Sequence, residues 1–186
     1  MPTNEKEIYL TFDDGPHPQI TPWVLNLLNQ YQAKATFFCI GKNVDSFPEV
    51  YRRIIDEGHR VGNHTQHHPN SKKTDESVWL QDVKEASKRI DSDLFRPPYG
   101  QISRFQEKVL REAKPGFRTI MWSVLSGDFD QNLKPEDCVK IVTKHSKPGG
   151  IIVFHDSEKA WPRLEKCLPE VLHILSKKGY RFKVLK

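Results

Sequence analysis

The sequence predicts an α/β fold closed into a small, irregular (β/α) barrel of seven to eight strands. Three observations carry that prediction. Apolar runs of strand length alternate with amphipathic helical stretches from one end of the chain to the other. Strand followed by helix, repeated about seven times, indicates a parallel sheet buried on both faces and favours closure over an open doubly wound sheet. The 186 residues fall short of a full barrel, which needs about 250, and no repeat, low-complexity tract or linker divides them, so one domain over 1–186 is expected.

The strand runs are "IYLTF" (8–12), "ATFFCI" (35–40), "RVGNH" (60–64), "LFRP" (94–97), "FRTIMWSV" (117–124), "IIVFH" (151–155) and "YRFKVL" (180–185). Between the first two, "TPWVLNLLNQY" (21–31) reads as a helix with Thr21 as N-cap and Pro22 at its first position. "PEVYRRIIDEG" (48–58) ends on a glycine placed to cap it. "DESVWLQDVKEASKRI" (75–90) carries apolar residues at helical spacing on an otherwise charged, solvated stretch. "SRFQEKVLREA", "KPEDCVKIVTKH" and "PRLEKCLPEVLHILSKKG" supply the remaining helices.

Composition narrows the function classes. With 37% hydrophobic and 28% charged residues the chain is globular, not disordered. No run of about 18 apolar residues exists to span a membrane. The start, "MPTNEKE", has no signal-peptide apolar region, so either the protein stays inside or a segment precedes it. Net charge is +5, with a sequence pI near 9.0. The basic residues are scattered among acidic ones, and no nucleic-acid motif is present, so the charge reads as a solvated surface. Cys39, Cys138 and Cys167 are odd in number and far apart, without C-x-x-C spacing, and a reduced state is expected.

In such a fold chemistry gathers where strands end. The first strand ends in Asp13-Asp14, followed at once by Gly-Pro; this is acceptable turn chemistry, but a turn needs only one such aspartate. The third runs into "NHTQHH" (63–68), the fourth ends in "RPPYG" (96–100), the fifth leads to "SGDFD" (126–130), and the sixth ends in His155-Asp156. His64 and His68, four apart, share one face of a helical turn. With one carboxylate they make a two-His, one-Asp set that binds zinc and leaves a position open for water. His67 is the alternative second imidazole, and a plain polar loop is the alternative to a metal site. One aspartate then completes the metal site while its neighbour handles a proton, with Arg96 as the guanidinium that keeps the free carboxylate ionised. His155 is placed to protonate a leaving amine, and Asp128 to orient and charge that imidazole. The ensemble describes metal-assisted hydrolysis of an amide or ester.

"TFDDGP", "HTQHH", "RPPYG", "SGDF" and "VFHD" follow one another in the order and spacing of the five motifs of the polysaccharide deacetylases, the carbohydrate-esterase family with the NodB-type domain. The chain resembles that family over residues 8–185. The resemblance implies a distorted (β/α) barrel that removes N- or O-acetyl groups from a sugar polymer. It implies Asp13 as catalytic base, Asp14, His64 and His68 as ligands of a divalent metal, usually zinc, and Arg96 as the residue that positions Asp13. It further implies the Tyr99 backbone N–H as an oxyanion donor, His155 as general acid steered by Asp128, and Val153 and Trp122 as an apolar wall around the acetyl methyl. Two departures stand out. The fourth motif often reads Asp-x-x-Asp-Trp, and here Leu125 replaces the first Asp and Phe129 the groove-lining Trp. The fifth commonly has Leu where Val153 stands.

The remaining histidines and tryptophans read as structural. His59 follows a capping glycine, His17 lies near the rim without a role, and His145 and His173 sit on helices. Trp23, Trp79 and Trp161 pack helix faces, with the groove border as an alternative for Trp161. The expected substrate is an acetylated glycan containing N-acetylglucosamine, of peptidoglycan or chitin type. The alternatives are O-acetyl xylan, a small cyclic amide, or an inactive carbohydrate-binding relative. A monomer is expected, and the family suggests work outside the cytoplasm on envelope glycans.

Overall fold

The computed structural model describes residues 5–114 and 116–186; the first four residues of the polar amino-terminal stretch lie outside them. In chain order the elements are β1 (Glu7–Asp13), α1 (Ile20–Gln30), β2 (Ala35–Cys39), α2 (Gly41–Ser46), α3 (Pro48–Asp56), β3 (Arg60–Asn63), α4 (Glu76–Ala86) and β4 (Leu94–Phe95). Then come α5 (Arg104–Glu112), β5 (Arg118–Thr119), β6 (Val124–Leu125), α6 (Pro135–His145), β7 (Gly150–His155), α7 (Trp161–Lys177) and β8 (Arg181–Phe182). The strands run parallel in the order β5-β4-β3-β2-β1-β7-β6, curled into an incomplete barrel, with β8 paired to the start of β1. None of the helices in the described residues is long and apolar enough to cross a membrane.

The expected strand 117–124 is two strands, and they lie on opposite edges of the sheet. The Ile120 N–H bonds the Phe95 carbonyl beside β4, and three residues later the Ser123 N–H bonds Ile151 on β7. Three residues span at most about 10 Å, so Met121 and Trp122 cross the mouth of the curl where another strand would stand. A run that bridges two edges cannot ladder with either for more than two residues, and that is why its apolar pattern misled. β8 likewise adds no place to the ring; it pairs with β1 at Glu7 and Ile8, and Leu185 plugs the base.

Alternation along the strands sorts side chains into two layers. Ile8, Leu10 and Phe12 of β1 face the helices, in a core with Phe37, Ile152, Phe154 and the buried faces of α1, α6 and α7. Tyr9 faces the barrel interior with Phe38, Leu94 and Leu185. Thr11 and Asp13 continue that inward row toward the carboxyl end, so the interior is apolar at its base and polar at its rim. Trp79 packs edge-on against Phe95 at 5.7 Å in a second cluster under α4 and α5.

Helix termini follow the expected stretches with three differences, the first being that α4 ends at Ala86, four residues short of the expected Ile90. α1 begins two residues early, with Gln19 and not Thr21 as its N-cap; Thr21 is buried and its hydroxyl bonds Asp156. His17 takes over that duty, its Nδ1 accepting the Gln19 and Ile20 N–H groups at 3.2 Å each. The short α2 was not anticipated; six residues carry too little periodicity to be read.

Phe12 is fully buried and stacks on Phe37 and Phe154 at 5.0 and 5.9 Å. Phe12→Ala is expected to cost about 3–5 kcal/mol of stability, seen as a lower urea midpoint with metal absent.

Candidate active site

The carboxyl end of the curled sheet opens as a cleft of about 410 Å³. Asp13, Asp14, His64, His68 and His155 converge on it, and Tyr99, Trp122, Phe129 and Val153 form its walls. Arg96 and Asp128 do not reach the cleft. Both are fully buried behind it, each against one of the polar groups that do.

Asp13 and Asp14 separate because the strand ends between them. Asp13 is the last residue of β1 and points inward, while Asp14 adopts φ +80° and turns toward the next loop. Arg96 Nη1 donates to Asp13 Oδ1 and to Thr11 Oγ1 at 2.7 Å each, and Nε donates to the Ile120 carbonyl. The guanidinium lies 4.1 Å from the centre of the Phe38 ring, sealed from solvent. Burial by itself would raise the Asp13 pKa. The Arg96 charge, helped by His64 and His155, outweighs it and holds the carboxyl below its ordinary value, so Asp13 is ionised at neutral pH.

The two histidines of "HTQHH" do not lie on a helical turn as their spacing suggested. Residues 64–68 are a loop with positive φ at Thr65 and His68, and its bends bring the rings within 5.0 Å. The loop is held by its neighbours. Thr65 N–H bonds Asn63 Oδ1, His68 N–H bonds Thr65 Oγ1, and Asp82 Oδ1 accepts from the Gln66 and His67 N–H groups. The free amides at the start of α2, Gly41 and Lys42, bond the carbonyls of Thr65 and Gln66. His67, the alternative ligand, points away and bonds Asp82 Oδ2 at 2.6 Å.

Asp14, His64 and His68 each present one ligand atom, all within 4.8 Å of one another. The donor chemistry fits a divalent cation. His64 Nδ1 lies 2.7 Å from the Arg96 carbonyl, which can only accept, so Nδ1 carries a proton and Nε2 is the nitrogen turned toward Asp14, 3.7 Å away. Burial and then the neighbouring His64 lower the His68 pKa to about 4, so that ring is neutral and free to coordinate. Two imidazoles and one carboxylate lining a cleft are a donor set that fits a divalent metal.

At the end of β7, level with Asp13 on β1, His155 Nδ1 bonds Asp128 Oδ1 at 2.8 Å, and its backbone N–H bonds Oδ2 of the same carboxylate. Burial pulls the His155 pKa down, but Asp128, with Asp14 and Asp13, overrides it and raises the pKa to about 9. The imidazole is therefore charged at neutral pH.

Several residues that the sequence did not single out hold this arrangement. Asp156 Oδ1 accepts the Gly15 N–H at 3.1 Å, Thr21 bonds Oδ2, and Asn43 Nδ2 donates to the Asp14 carbonyl at 2.7 Å. Gly15 does not need left-handed φ. It is glycine because a Cβ there would stand 2.2 Å from Asp156 Oδ2. Burial raises the Asp156 pKa to about 7, a sign that the fold keeps this carboxyl dry. The "HD" of the sixth strand end was the available signal. Leu125 and Lys159 also line the cleft. Trp161 does not; it packs edge-on against Trp23 at 5.0 Å. His59 is structural, accepting the Ala35 N–H, and His145 and His173 lie exposed on helices.

A buried ionised carboxylate, an Asp-His-His set that fits a divalent metal and a charged imidazole thus line one cleft. The family model for polysaccharide deacetylases matches residues 1–116. The chain is 38% identical to a peptidoglycan-N-acetylglucosamine deacetylase of Bacillus cereus, over 98% of this chain and 87% of that protein. It is 37% identical to a chitooligosaccharide deacetylase of Azorhizobium caulinodans, over 82% and 75% of the two chains. Its fold matches the crystal structure of the peptidoglycan N-acetylglucosamine deacetylase Bc1960 in complex with 4-naphthalen-1-yl-N-oxidanyl-benzamide, with a TM-score of 0.85 and 34% identity over 99% of this chain and 88% of that one. The chain belongs to the polysaccharide deacetylase family. It is a metal-dependent glycan deacetylase, a hydrolase of carbon–nitrogen bonds other than peptide bonds.

Arg96→Met should leave the Asp13 carboxylate buried without a partner and cost about 3–5 kcal/mol at pH 7, read by urea titration. A Gly15→Ala, Asp156→Ala double-mutant cycle checks the close approach at Gly15: the double variant should lose less stability than the two single losses added together.

Proposed function

We propose that this chain removes the acetyl group from N-acetylglucosamine units of a peptidoglycan or chitin-type glycan, with zinc as its metal and a single chain as the working unit. The observation that supports this best is that one cleft holds an ionised Asp13 and a protonated His155 at paired positions of β1 and β7, with Asp14, His64 and His68 lining the same cleft. Hydrolysis of an amide needs a base for the attacking water and an acid for the departing amine, and the two carry those charges before substrate arrives.

Asp14, His64 and His68 would hold the cation, which supplies Lewis-acid polarisation of the acetyl carbonyl and makes water easier to deprotonate. Asp13 takes the proton of the attacking water. Arg96 acts through Asp13, fixing which carboxylate oxygen faces the cleft and keeping it charged. As the carbonyl oxygen gains negative charge, the Tyr99 N–H donates to it; φ of +60° at Tyr99 shapes that turn. His155 then passes its Nε2 proton to the sugar nitrogen as the C–N bond breaks. Asp128 keeps the proton-bearing edge of the ring turned to the cleft. Val153 and Trp122 offer the acetyl methyl an apolar wall. Phe129, edge-on to His155 at 5.1 Å, replaces part of the indole surface that the family often has there.

All of these groups come from one chain, which supports a working monomer. The glycan is tested by acetate release from N-acetylglucosamine oligomers beside acetylated xylan, with zinc and with chelator. Chelator-sensitive release from the oligomers, lowered at least about 100-fold in Asp13→Asn as expected for loss of a general base, supports the reading. Release from xylan alone would replace it with an O-acetyl esterase, and release from neither would exclude both. His155 acts as an acid only while protonated, so kcat/KM should fall as pH rises through its pKa. Asp128→Asn removes the charge that raises that pKa, and the alkaline limb should move to lower pH.

A further inference from the structure

Lys159 lines the cleft and has no part in the hydrolytic scheme. It sits in the turn between β7 and α7, and that turn is braced from beneath. Arg163, itself buried, donates through Nη2 to the Lys159 carbonyl and through Nε to the Asp128 carbonyl at 2.6 Å. One guanidinium thus ties the backbone of Lys159 to the loop that orients His155. The lysine side chain runs over Phe129, with Nζ 5.7 Å from the ring centre. The other edge of the arrangement is His155, 5.1 Å from the same ring. The ammonium is therefore held about one aromatic ring away from the acid of the reaction.

Its charge is unspent. Among the described residues no carboxylate lies within ion-pair distance of Lys159, and the adjacent Glu158 turns instead to His17 at 3.5 Å. Arg96, the strong cation behind the cleft, is buried and committed to Asp13. An exposed ammonium on an aromatic platform at the rim of the cleft is free to meet an anion carried by a ligand.

Resting on the reading of this chain as a glycan deacetylase, we propose that Lys159 and Phe129 form an anion-binding subsite that takes a carboxylate carried by the sugar next to the one being deacetylated. The Phe129 face takes the sugar ring, and Lys159 the acid. The lactyl carboxylate of a muramic-acid unit has that chemistry; a chitin-type oligomer has no such group.

The test uses three tetrasaccharides of equal length: alternating N-acetylglucosamine and N-acetylmuramic acid, the same compound with its lactyl groups as methyl esters, and the neutral N-acetylglucosamine oligomer. Acetate release is measured with the zinc-loaded chain and with Lys159→Ala, Lys159→Arg and Lys159→Glu. The ratio of kcat/KM for the acid over its methyl ester should fall about fivefold in Lys159→Ala, the size of a partly exposed ion pair. The loss should appear in KM, be largely restored by Lys159→Arg, and deepen in Lys159→Glu. Raising the salt should shrink the wild-type ratio toward that of Lys159→Ala. Equal losses on all three substrates, or an unchanged ratio, would overturn the subsite and leave the deacetylase reading standing. Binding of the same three compounds to Asp13→Asn, followed by calorimetry, separates the two ideas. A preference for the acid that Lys159→Ala abolishes upholds the subsite even if wild type turns over none of them, and in that case only the deacetylation reading fails.

Discussion

The buried pair of Arg96 and Asp13 is the interaction on which the rest of the site depends. A guanidinium with no solvent exposure is costly unless its charge is met, and here Asp13 meets it; Nη1 donates to Asp13 and Thr11, Nε to the Ile120 carbonyl, Phe38 covers one face, and Nη2 is buried without a hydrogen-bond partner. The pair joins β1 to the end of β4 across the interior of the curl, and through Ile120 to the segment that crosses its mouth. Its chemical result is a carboxylate that stays ionised while dry. Its structural result reaches the metal ligands as well, because the carbonyl of Arg96 selects the tautomer of His64.

Two adjacent aspartates can have different duties only if the backbone turns between them. The end of β1 supplies that turn, and the clamps on it come from far along the chain: Asp156 on the Gly15 N–H, Asn43 on the Asp14 carbonyl, and the Ile40 N–H on the Gly15 carbonyl. The metal loop is braced in the same manner by Asn63, Asp82 and the start of α2. Both are fixed by partners on rigid elements, which gives a small site its precision.

The departures in the fourth motif fall on the cleft surface and not on the proton path. Leu125 and Phe129 line the cleft, while Asp128 remains buried beneath His155. Phe129 shares its neighbourhood with Lys159, so the residue that changes the groove also seats its unpaired cation. The buried carboxylate and the cleft-lining departures are thus different side chains of the same loop.

By itself the sequence determined the alternation of strands and helices, the strand ends that carry chemistry, and the residue types of the site, because periodicity and local turn chemistry are written in neighbouring residues. Asp13, Asp14, His64, His68, Arg96, Asp128 and His155 could all be named from it. Only the tertiary structure decided how 117–124 divides between two edges, since no local pattern says which strands a run will meet. It also decided that 64–68 is a bent loop and not a helical turn, that Thr21 serves Asp156 and not the helix start, and that His67 turns away to Asp82. Each of these rests on a partner distant in sequence, and a hydrogen bond to a distant partner outweighs a weak local preference. Lys159 shows the same limit: one lysine among many in the chain, it becomes distinctive only because the fold sets it over Phe129 at the rim of the cleft and gives it no carboxylate of its own.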